Sequence, residues 1–377
     1  MDLQRERQQR RLRNRAHKTS GVIVKTMHDA RGIAEPLDRY GELIACQIVA
    51  LYNAVHGLPH TSRHTLARLK QLFHESDGLP ATSKILIRPD YQWRYGYNHQ
   101  TIYRKAAGTS RFMLGKGILD SQTLRWVNNT CIVLITDDPK QQPSDHDAAL
   151  ALVMSSIEVA ARRIRSLRFI THLDILRSAS PDAQDASSPL SIPIPQLSHI
   201  FSAGAHVTLR DIHVKPDALF GIEYAVPSQD FRFYALEFDR STEDVEPSKN
   251  LVRASWLRKI LSYSAISAHP NPIYRTYLKI PNLLVLCIFS DTTRMSHVMR
   301  LTKQHAAYPS QFLFKTIPPV DPLLNAATMP QLFTEPWHRI GGTFDISTMQ
   351  EGGDDHDPGR QDHSRQGAHQ QARRDRR

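Results

Sequence analysis

Residues 214–240 read VKPDALFGIEYAVPSQDFRFYALEFDR, and this stretch decides the fold that the sequence predicts. The apolar residues within 213–222 and the strand-like run at 231–240 are typical of two neighbouring strands, because a polar turn separates them. Asp217 lies in the first segment, and Glu237 and Asp239 lie in the second. Glu237 and Asp239 share one face, since alternate residues of a strand point the same way. The two strands are therefore expected to bring acidic side chains together.

A helical segment after these strands carries Lys259 and Tyr263 four residues apart, which puts both on one helix face. Hydrolysis of a phosphodiester uses a divalent metal held by carboxylates, together with a cation near the attacking water or the transition state. Hard cations prefer oxygen ligands. We therefore predict a Mg²⁺ site with Asp217, Glu237 and Asp239 as ligands, and catalytic roles for Asp217, Glu237 and Lys259.

Each of these residues also has a structural interpretation. Asp217 follows a proline and is a candidate for capping a turn. Glu237 lies between apolar neighbours, so a buried carboxylate there needs a partner such as Arg210 or Arg232. Lys259 is equally compatible with a solvated helix surface. The joint pattern, and no single residue, favours an acidic functional site.

The rest of the chain predicts a mixed α/β fold. Apolar spacing predicts helices at 147–164 and 293–306, and strands at 282–290 and 311–317. With the two acidic strands, this order suits a central mixed sheet with flanking helices. We assign residues 147–320 to this domain, residues 321–350 to a C-terminal extension, and residues 351–377 to a disordered polar tail.

The N-terminal part predicts a DNA-binding unit. Residues 1–35 are assigned to a basic disordered arm, residues 36–118 to a winged helix-turn-helix, and residues 119–146 to a linker. The second helix and the β-hairpin of this unit carry the predicted DNA contacts, which are Arg63, His64, Arg68, Lys70, Arg88 and Arg94. Ordinary solvated faces of a small α/β unit are the alternative.

Composition points to a polyanionic partner. The formal net charge is +11, which favours binding to double-stranded DNA. The three cysteines, Cys46, Cys131 and Cys287, lie far apart and argue against a disulfide framework or a zinc site. No apolar run reaches the length of a membrane span, and no apolar stretch follows the basic N-terminus as in a secretory signal. We expect a soluble cytoplasmic protein that has no membrane partner.

Residues 214–263 resemble the replication-relaxation family of plasmid and mobile-element proteins. The matching pieces are KPDA at 215–218, LEFDRSTE at 236–243, and Lys259 with Tyr263. The resemblance extends more loosely over residues 38–318. It implies an N-terminal winged helix followed by a restriction-endonuclease-like domain, similar to the PD-(D/E)xK fold.

The resemblance also implies roles for individual residues. Asp217 and Glu237 match the acidic metal ligands of that fold, and Glu158 is the candidate acid on its first helix. The nuclease pattern has a lysine two residues after the glutamate, where this chain has Asp239. Lys259 is expected to compensate as a migrated lysine. Without that compensation the domain would be a DNA-binding shell that does not cleave.

These observations predict a DNA-binding protein of plasmid or mobile-element replication, relaxation or mobilisation that nicks DNA with Mg²⁺. Replication or mobilisation proteins are its expected protein partners. The alternative is a non-catalytic DNA-binding accessory factor or transcriptional regulator whose nuclease-like domain is degenerate. A third, more remote interpretation is an RNA-binding protein, because aromatic residues alternate within 91–97.

Overall fold

The computed structural model describes residues 24–58, 63–74, 84–89, 101–132, 144–201, 204–225, 230–239, 244–247, 251–318 and 328–353. These residues form a mixed α/β structure, as the sequence predicts, with a large mixed sheet and flanking helices. Within these ranges, no helix combines the length and apolar character that crossing a membrane requires.

Short helices surround a three-stranded sheet in the N-terminal part. Its elements are α1 (Met27–Asp29), a π-helical turn (Ala30–Ala34), α2 (Glu35–Tyr40), β1 (Glu42–Ile44), α3 (Ala45–Val55), α4 (Arg63–His74), β2 (Leu86–Ile87), β3 (Ile102–Lys105) and α5 (Ala107–Gly115). The strands are antiparallel and lie in the order β1-β3-β2. Gly41 ends α2 with a φ of 76°, a conformation that glycine adopts readily, and the chain turns there into β1.

The structure differs from the predicted boundaries of this part in two places. Residues 27–34, assigned above to the disordered arm, are helical, and Ile33 is fully buried. Part of the segment assigned to a linker, residues 119–146, forms α6 (Ser121–Thr130), whose Trp126 is buried. Both segments are rich in polar residues, but a few apolar side chains at helical spacing are enough to pack each helix against the core. The remainder of the arm, residues 1–23, lies outside the described residues.

An eight-stranded sheet organises the rest of the chain. The further elements are α7 (Asp145–Arg163), β4 (Leu167–Ile170), α8 (His172–Ser178), α9 (Pro181–Asp185), β5 (Ile192–Ile200), β6 (His206–Val214), β7 (Ala218–Tyr224), β8 (Asp230–Asp239), α10 (Trp256–Ile266), α11 (Ile273–Tyr277), β9 (Leu284–Phe289), α12 (Thr292–His305), β10 (Phe312–Thr316), α13 (Gln331–Thr334), β11 (Trp337–Arg339), β12 (Gly342–Asp345) and β13 (Gln350–Gly353). The sheet order is β13-β12-β11-β10-β9-β8-β7-β4. Strands β8, β9 and β10 are mutually parallel, and the other neighbours are antiparallel. Strands β5 and β6 form a separate antiparallel ribbon.

The helices predicted at 147–164 and 293–306 and the strands predicted at 282–290 and 311–317 are confirmed as α7, α12, β9 and β10. The C-terminal extension proves to be part of the sheet, because β11 pairs with β10. Strand β13 continues to Gly353, so the first residues of the predicted tail belong to a strand. Residues 354–377 lie outside the described part of the chain.

The large sheet separates two layers of apolar side chains. Leu236 and Phe238 of β8 pack into the layer that contains α7 and the N-terminal helices. Ala235 packs into the opposite layer, with α10 and α12. Glu237 and Asp239 follow Ala235 at intervals of two residues, so they point toward α10 and α12 as well. The sheet thus buries both acids beneath two helices.

Candidate functional site

Glu237 is the centre of a buried polar cluster at the end of β8. Its side chain is 1% exposed. The Tyr263 hydroxyl donates a hydrogen bond of 2.6 Å to Oε1, and the Lys259 Nζ lies 2.9 Å from Oε2. Lys259 and Tyr263 are one turn apart on α10, so the predicted shared helix face is the face that covers Glu237. The alternative partners named above are not used: Lys259 pairs with Glu237, and Arg232 pairs with Asp230.

Burial of this cluster determines the pKa values of Glu237 and Tyr263. Burial raises the pKa of Glu237 to about 7, although the Lys259 ammonium opposes the increase. Burial and the neighbouring Glu237 carboxylate also raise the pKa of Tyr263 well above its ordinary value. Tyr263 therefore stays a hydrogen-bond donor at neutral pH.

Asp217 approaches Glu237 from the neighbouring strand. It directly precedes β7, whose first residue, Ala218, is paired with Leu236 of β8. The Asp217 backbone N–H donates to the Leu236 carbonyl at 3.0 Å, and the Phe238 N–H donates to Asp217 Oδ2 at 2.8 Å. These bonds hold the Asp217 carboxylate beside the end of β8, where 23% of the side chain is exposed.

Charge also couples the two acids. Burial works to raise the pKa of Asp217, but a hydrogen bond with His146 and the charge of Lys259 hold that pKa below its ordinary value. The Asp217 carboxylate in turn contributes to the raised pKa of Glu237. Asp217, Glu237 and Lys259 thus form one electrostatic unit.

His146 belongs to this unit, although no local pattern around residue 146 distinguishes it as a site residue. His146 lies in the first turn of α7. Its Nε2 is 3.5 Å from Asp217 Oδ2 and 3.2 Å from the Phe238 carbonyl oxygen. Its Nδ1 lies 3.3 Å from Asp147 Oδ1. Contacts with Asp147 and Asp217 raise the pKa of His146 to about 10. His146 is therefore a cation at neutral pH, and it orients Asp217.

Asp239 is engaged elsewhere. The Arg294 Nη2 donates to Asp239 Oδ1 at 3.3 Å, and the Arg294 Nε contacts Oδ2. The Trp256 indole N–H also donates to Oδ2, at 2.9 Å. Among the described residues no three His, Cys, Asp or Glu side chains are arranged to hold a metal ion. The three predicted ligands are thus not arranged to share one ion, and Asp239 is paired with Arg294.

Glu158, the candidate first-helix acid, lies in a different buried cluster. Arg39 Nη2 binds both carboxylate oxygens, at 2.7 and 2.9 Å, and Arg162 Nε binds Oε1 at 2.7 Å. The Tyr40 hydroxyl donates to Oε2 at 2.5 Å. Burial works to raise the pKa of Glu158, but the two guanidinium groups outweigh it and hold the pKa at about 2. Glu158 joins α7 to α2 of the N-terminal part and does not approach Asp217 in any described contact.

The predicted DNA-contact residues differ in exposure and in the contacts that they make. Arg63, His64 and Lys70 are exposed on α4. Arg68, on the same helix, binds the buried Asp29 through Nε at 2.8 Å and Nη2 at 2.7 Å. The first three side chains are thus available to a partner, while Arg68 anchors α4 to α1.

On the predicted wing, Arg88 is half-buried between two aromatic rings. Its guanidinium carbon lies 4.1 Å from the Phe73 ring centroid and 5.2 Å from the Tyr103 centroid. Arg94 lies outside the described residues. Arg88 therefore packs α4 against the small sheet.

A small cleft opens beside Asp217. Its wall also includes Arg39, Tyr40, Thr130 and His172, so it lies between the N-terminal part and the large sheet. The volume is about 20 Å³, which is room for a water molecule or two. A larger ligand at Asp217 would have to enter from the exposed side of the carboxylate.

Comparisons of the chain with protein-family models, with curated proteins and with solved structures find no match. The fold and the geometry of the site therefore carry the functional argument.

Proposed function

We propose that this chain is a DNA-binding protein of plasmid or mobile-element replication, relaxation or mobilisation, and that its second domain nicks DNA with Mg²⁺. The observation that carries the catalytic part is the approach of Lys259 to Glu237, at 2.9 Å, next to Asp217 on the neighbouring strand. Two acids and a cation are the groups that metal-assisted hydrolysis of a phosphodiester requires.

The topology around the acids supports this proposal. Helix α7 precedes β4, β7 and β8, which are antiparallel neighbours, and α10 then leads to β9, which is parallel to β8. Apart from α8, α9 and the β5–β6 ribbon between β4 and β7, and α11 before β9, this is the helix–three strands–helix–strand order expected for the PD-(D/E)xK-like fold named above. In it, one acid precedes the second core strand and the other lies on the third, as Asp217 and Glu237 do here.

The N-terminal part supports duplex binding. Its order of helix, β1, two helices, β2 and β3, with the sheet order β1-β3-β2, agrees with a winged helix. Helix α4 is the second helix of the pair and exposes Arg63, His64 and Lys70. In this proposal α4 enters the major groove, where basic side chains bind phosphate and base edges.

The donor set is compatible with Mg²⁺ at two of the three residues predicted for it. Glu237 Oε2 is buried and lies 2.9 Å from the Lys259 ammonium. Asp217 is partly exposed beside it. Asp217 and Glu237 would hold the cation, which would supply positive charge to the scissile phosphate. Lys259 would stabilise charge that develops at the phosphate, and His146 would keep Asp217 in position.

A second candidate is a DNA-binding accessory factor without catalysis. The observation that favours it is the internal neutralisation of the acids: Tyr263 and Lys259 cover Glu237, and Arg294 neutralises Asp239. In this alternative the acidic strands stabilise the domain, and the nuclease-like topology is a scaffold for binding.

A supercoiled-plasmid assay distinguishes the two candidates. The wild-type protein is expected to convert supercoiled DNA to open circles with Mg²⁺ and not with a chelator, and Asp217→Asn is expected to abolish the conversion. Equal nicking by wild type and Asp217→Asn would refute the enzymatic role of this site. Duplex binding without nicking would establish the accessory role instead.

A further inference from the structure

The β5–β6 ribbon presents one face to solvent. The register pairs Gln196 with Arg210, Ser198 with Thr208, and Ile200 with His206, and all six side chains are exposed. The opposite face carries Leu197, which is buried in the layer that contains α10, and Val207 and Leu209, which pack against that layer. The ribbon is thus half-buried, and its outer face is lined largely by hydrogen-bonding groups.

The outer face has the chemistry to bind phosphate and base edges. Arg210 makes no ion pair with any acid in the described part of the chain. Ser198 Oγ and Thr208 Oγ1 lie 3.0 Å apart, so two hydroxyls stand side by side, and Thr208 is two residues from Arg210 on β6. Asp211, at a position with a φ of 51°, is an exposed acid beside Arg210, and Lys215 is exposed four residues further along the chain.

The ribbon starts at the acid site. Strand β6 ends at Val214, and two residues separate it from Asp217, a span of at most about 10 Å. Arg210 lies seven residues before Asp217, so the two are within about 25 Å of each other. One turn of B-DNA is about 34 Å long. A duplex with its scissile phosphate at Asp217 would therefore pass the ribbon within a single helical turn.

The dimensions of the ribbon also suit DNA. Nine residues in each strand give a length of about 30 Å. A two-stranded ribbon is narrow enough for the major groove. Helix α10, which carries Lys259, packs against both β5 and β6, so the ribbon and the site cation are held by the same helix. This packing restricts movement of the ribbon relative to Lys259.

We propose that the outer face of β5–β6 is a second DNA-binding surface, which holds the duplex beside the acid site while α4 binds it elsewhere. The inference rests on the proposed function, since it assumes that duplex DNA is the partner. Arg210 would bind phosphate, and Gln196, Ser198 and Thr208 would bind phosphate or base edges.

Duplex affinity as a function of salt tests this proposal. The probe is a labelled duplex of about 30 base pairs, roughly three helical turns, and its binding to the full chain is followed by fluorescence anisotropy between about 50 and about 200 mM salt. Arg210→Ala is expected to weaken binding about fivefold to tenfold and to reduce the salt slope by about 0.9, the value for one phosphate contact. Thr208→Glu, which adds negative charge to the same face, should weaken binding further.

Arg168→Ala is the matched control. Arg168 is also an exposed arginine on a strand, 62% exposed, and it pairs with Glu223, six residues along the chain from Asp217 and near the far end of β7. Its substitution should leave affinity and salt slope unchanged. Circular dichroism melts check that the variants are folded. If Arg210→Ala is destabilised, the duplex affinity of Thr208→Glu tests the same face independently.

The outcomes separate this inference from the function on which it rests. If the wild type binds the duplex and neither Arg210→Ala nor Thr208→Glu changes its affinity, the ribbon is not a DNA-binding surface. Duplex binding by α4 would remain possible. Absence of wild-type binding would refute both. A dimer seen by sedimentation without DNA and lost in Arg210→Ala, with DNA affinity unchanged, would make the ribbon an interface between two copies and overturn the proposal.

Discussion

The Lys259 ammonium lies 2.9 Å from Glu237 Oε2, although Lys259 follows Glu237 by 22 positions and comes from a helix. The position two residues after Glu237, where the nuclease pattern has its lysine, holds Asp239. Ser255 caps α10 by accepting the Arg258 N–H at 3.2 Å, which fixes the first turn of the helix and with it Lys259. A cation thus reaches the acid from the covering helix and not from the strand.

Lys259→Met is expected to reduce Mg²⁺-dependent nicking at least about 100-fold, because removal of one group that stabilises transition-state charge costs about that factor. The methionine should retain packing against Trp256, whose ring centroid lies 5.2 Å from Lys259 Nζ. The measurement is the rate of open-circle formation under single-turnover conditions. Lys303→Met, at an exposed position of α12, is the control, and equal rates for both variants would contradict a role for Lys259.

Asp239→Asn tests whether Asp239 acts as a metal ligand. Because Arg294 and Trp256 occupy its oxygens, we expect Asp239→Asn with Arg294→Gln to keep nicking and its dependence on Mg²⁺ concentration close to wild type. Arg294→Ala alone should destabilise the fold by about 3 kcal/mol, since it leaves a buried carboxylate without its cation. Urea unfolding measures this loss, and the double variant should recover part of it. Loss of nicking in the double variant as severe as in Asp217→Asn would restore Asp239 to the metal site.

The central strands and helices were predictable because their apolar residues repeat at regular intervals. Strand β8 is a run of ten residues rich in aromatic and apolar side chains, and α10 carries Lys259 and Tyr263 at helical spacing. Glu237 on the strand, and Lys259 and Tyr263 on one face of the helix, were selected from these local patterns. Local sequence is informative wherever one face of an element is buried.

The remaining parts depend on long-range contacts that local patterns do not encode. His146 meets Asp217 across 71 positions, and Arg294 meets Asp239 across 55. The β5–β6 ribbon was not predicted, and Pro193 and Pro195 weaken its strand signal, although prolines are tolerated in strands that lie at an edge. Strands β11 and β12, three and four residues long, gave no periodic signal and were assigned to an extension outside the sheet.

Substitutions on α4 should separate anchoring from binding. Arg68→Ala is expected to lower the free energy of unfolding by about 2–3 kcal/mol, below the full value for a buried pair because Arg68 is 21% exposed while Asp29 is 1% exposed. Arg63→Ala with Lys70→Ala should leave stability within about 0.5 kcal/mol and reduce the salt slope of duplex binding by about 2. Urea unfolding and anisotropy provide the two readouts. An unchanged salt slope in the double variant would exclude α4 as a DNA-binding helix.

The Glu158 cluster predicts an acid-dependent loss of stability. The folded-state pKa of Glu158 is about 2, and its ordinary value is 4.5. Between these values the unfolded chain binds more protons than the folded chain, so the contribution of Glu158 is fully present above pH 4.5 and is lost as pH falls toward about 2. At about 1.4 kcal/mol per unit, the loss is about 3 kcal/mol.

Glu158→Gln isolates this contribution. The variant leaves Arg39 and Arg162 without their carboxylate and is expected to lose about 3–5 kcal/mol at neutral pH. The difference from wild type should narrow as pH falls from about 5 toward about 3, because Glu158 takes up a proton in the unfolded wild-type chain and not in the folded one, which lowers the stability of the wild type alone. Glu223→Gln, which breaks the more exposed pair with Arg168, should change stability by at most about 1 kcal/mol. A wild-type-to-variant difference that stays constant with pH would show that Arg39 and Arg162 do not depress the pKa of Glu158, and that packing alone joins α2 to α7.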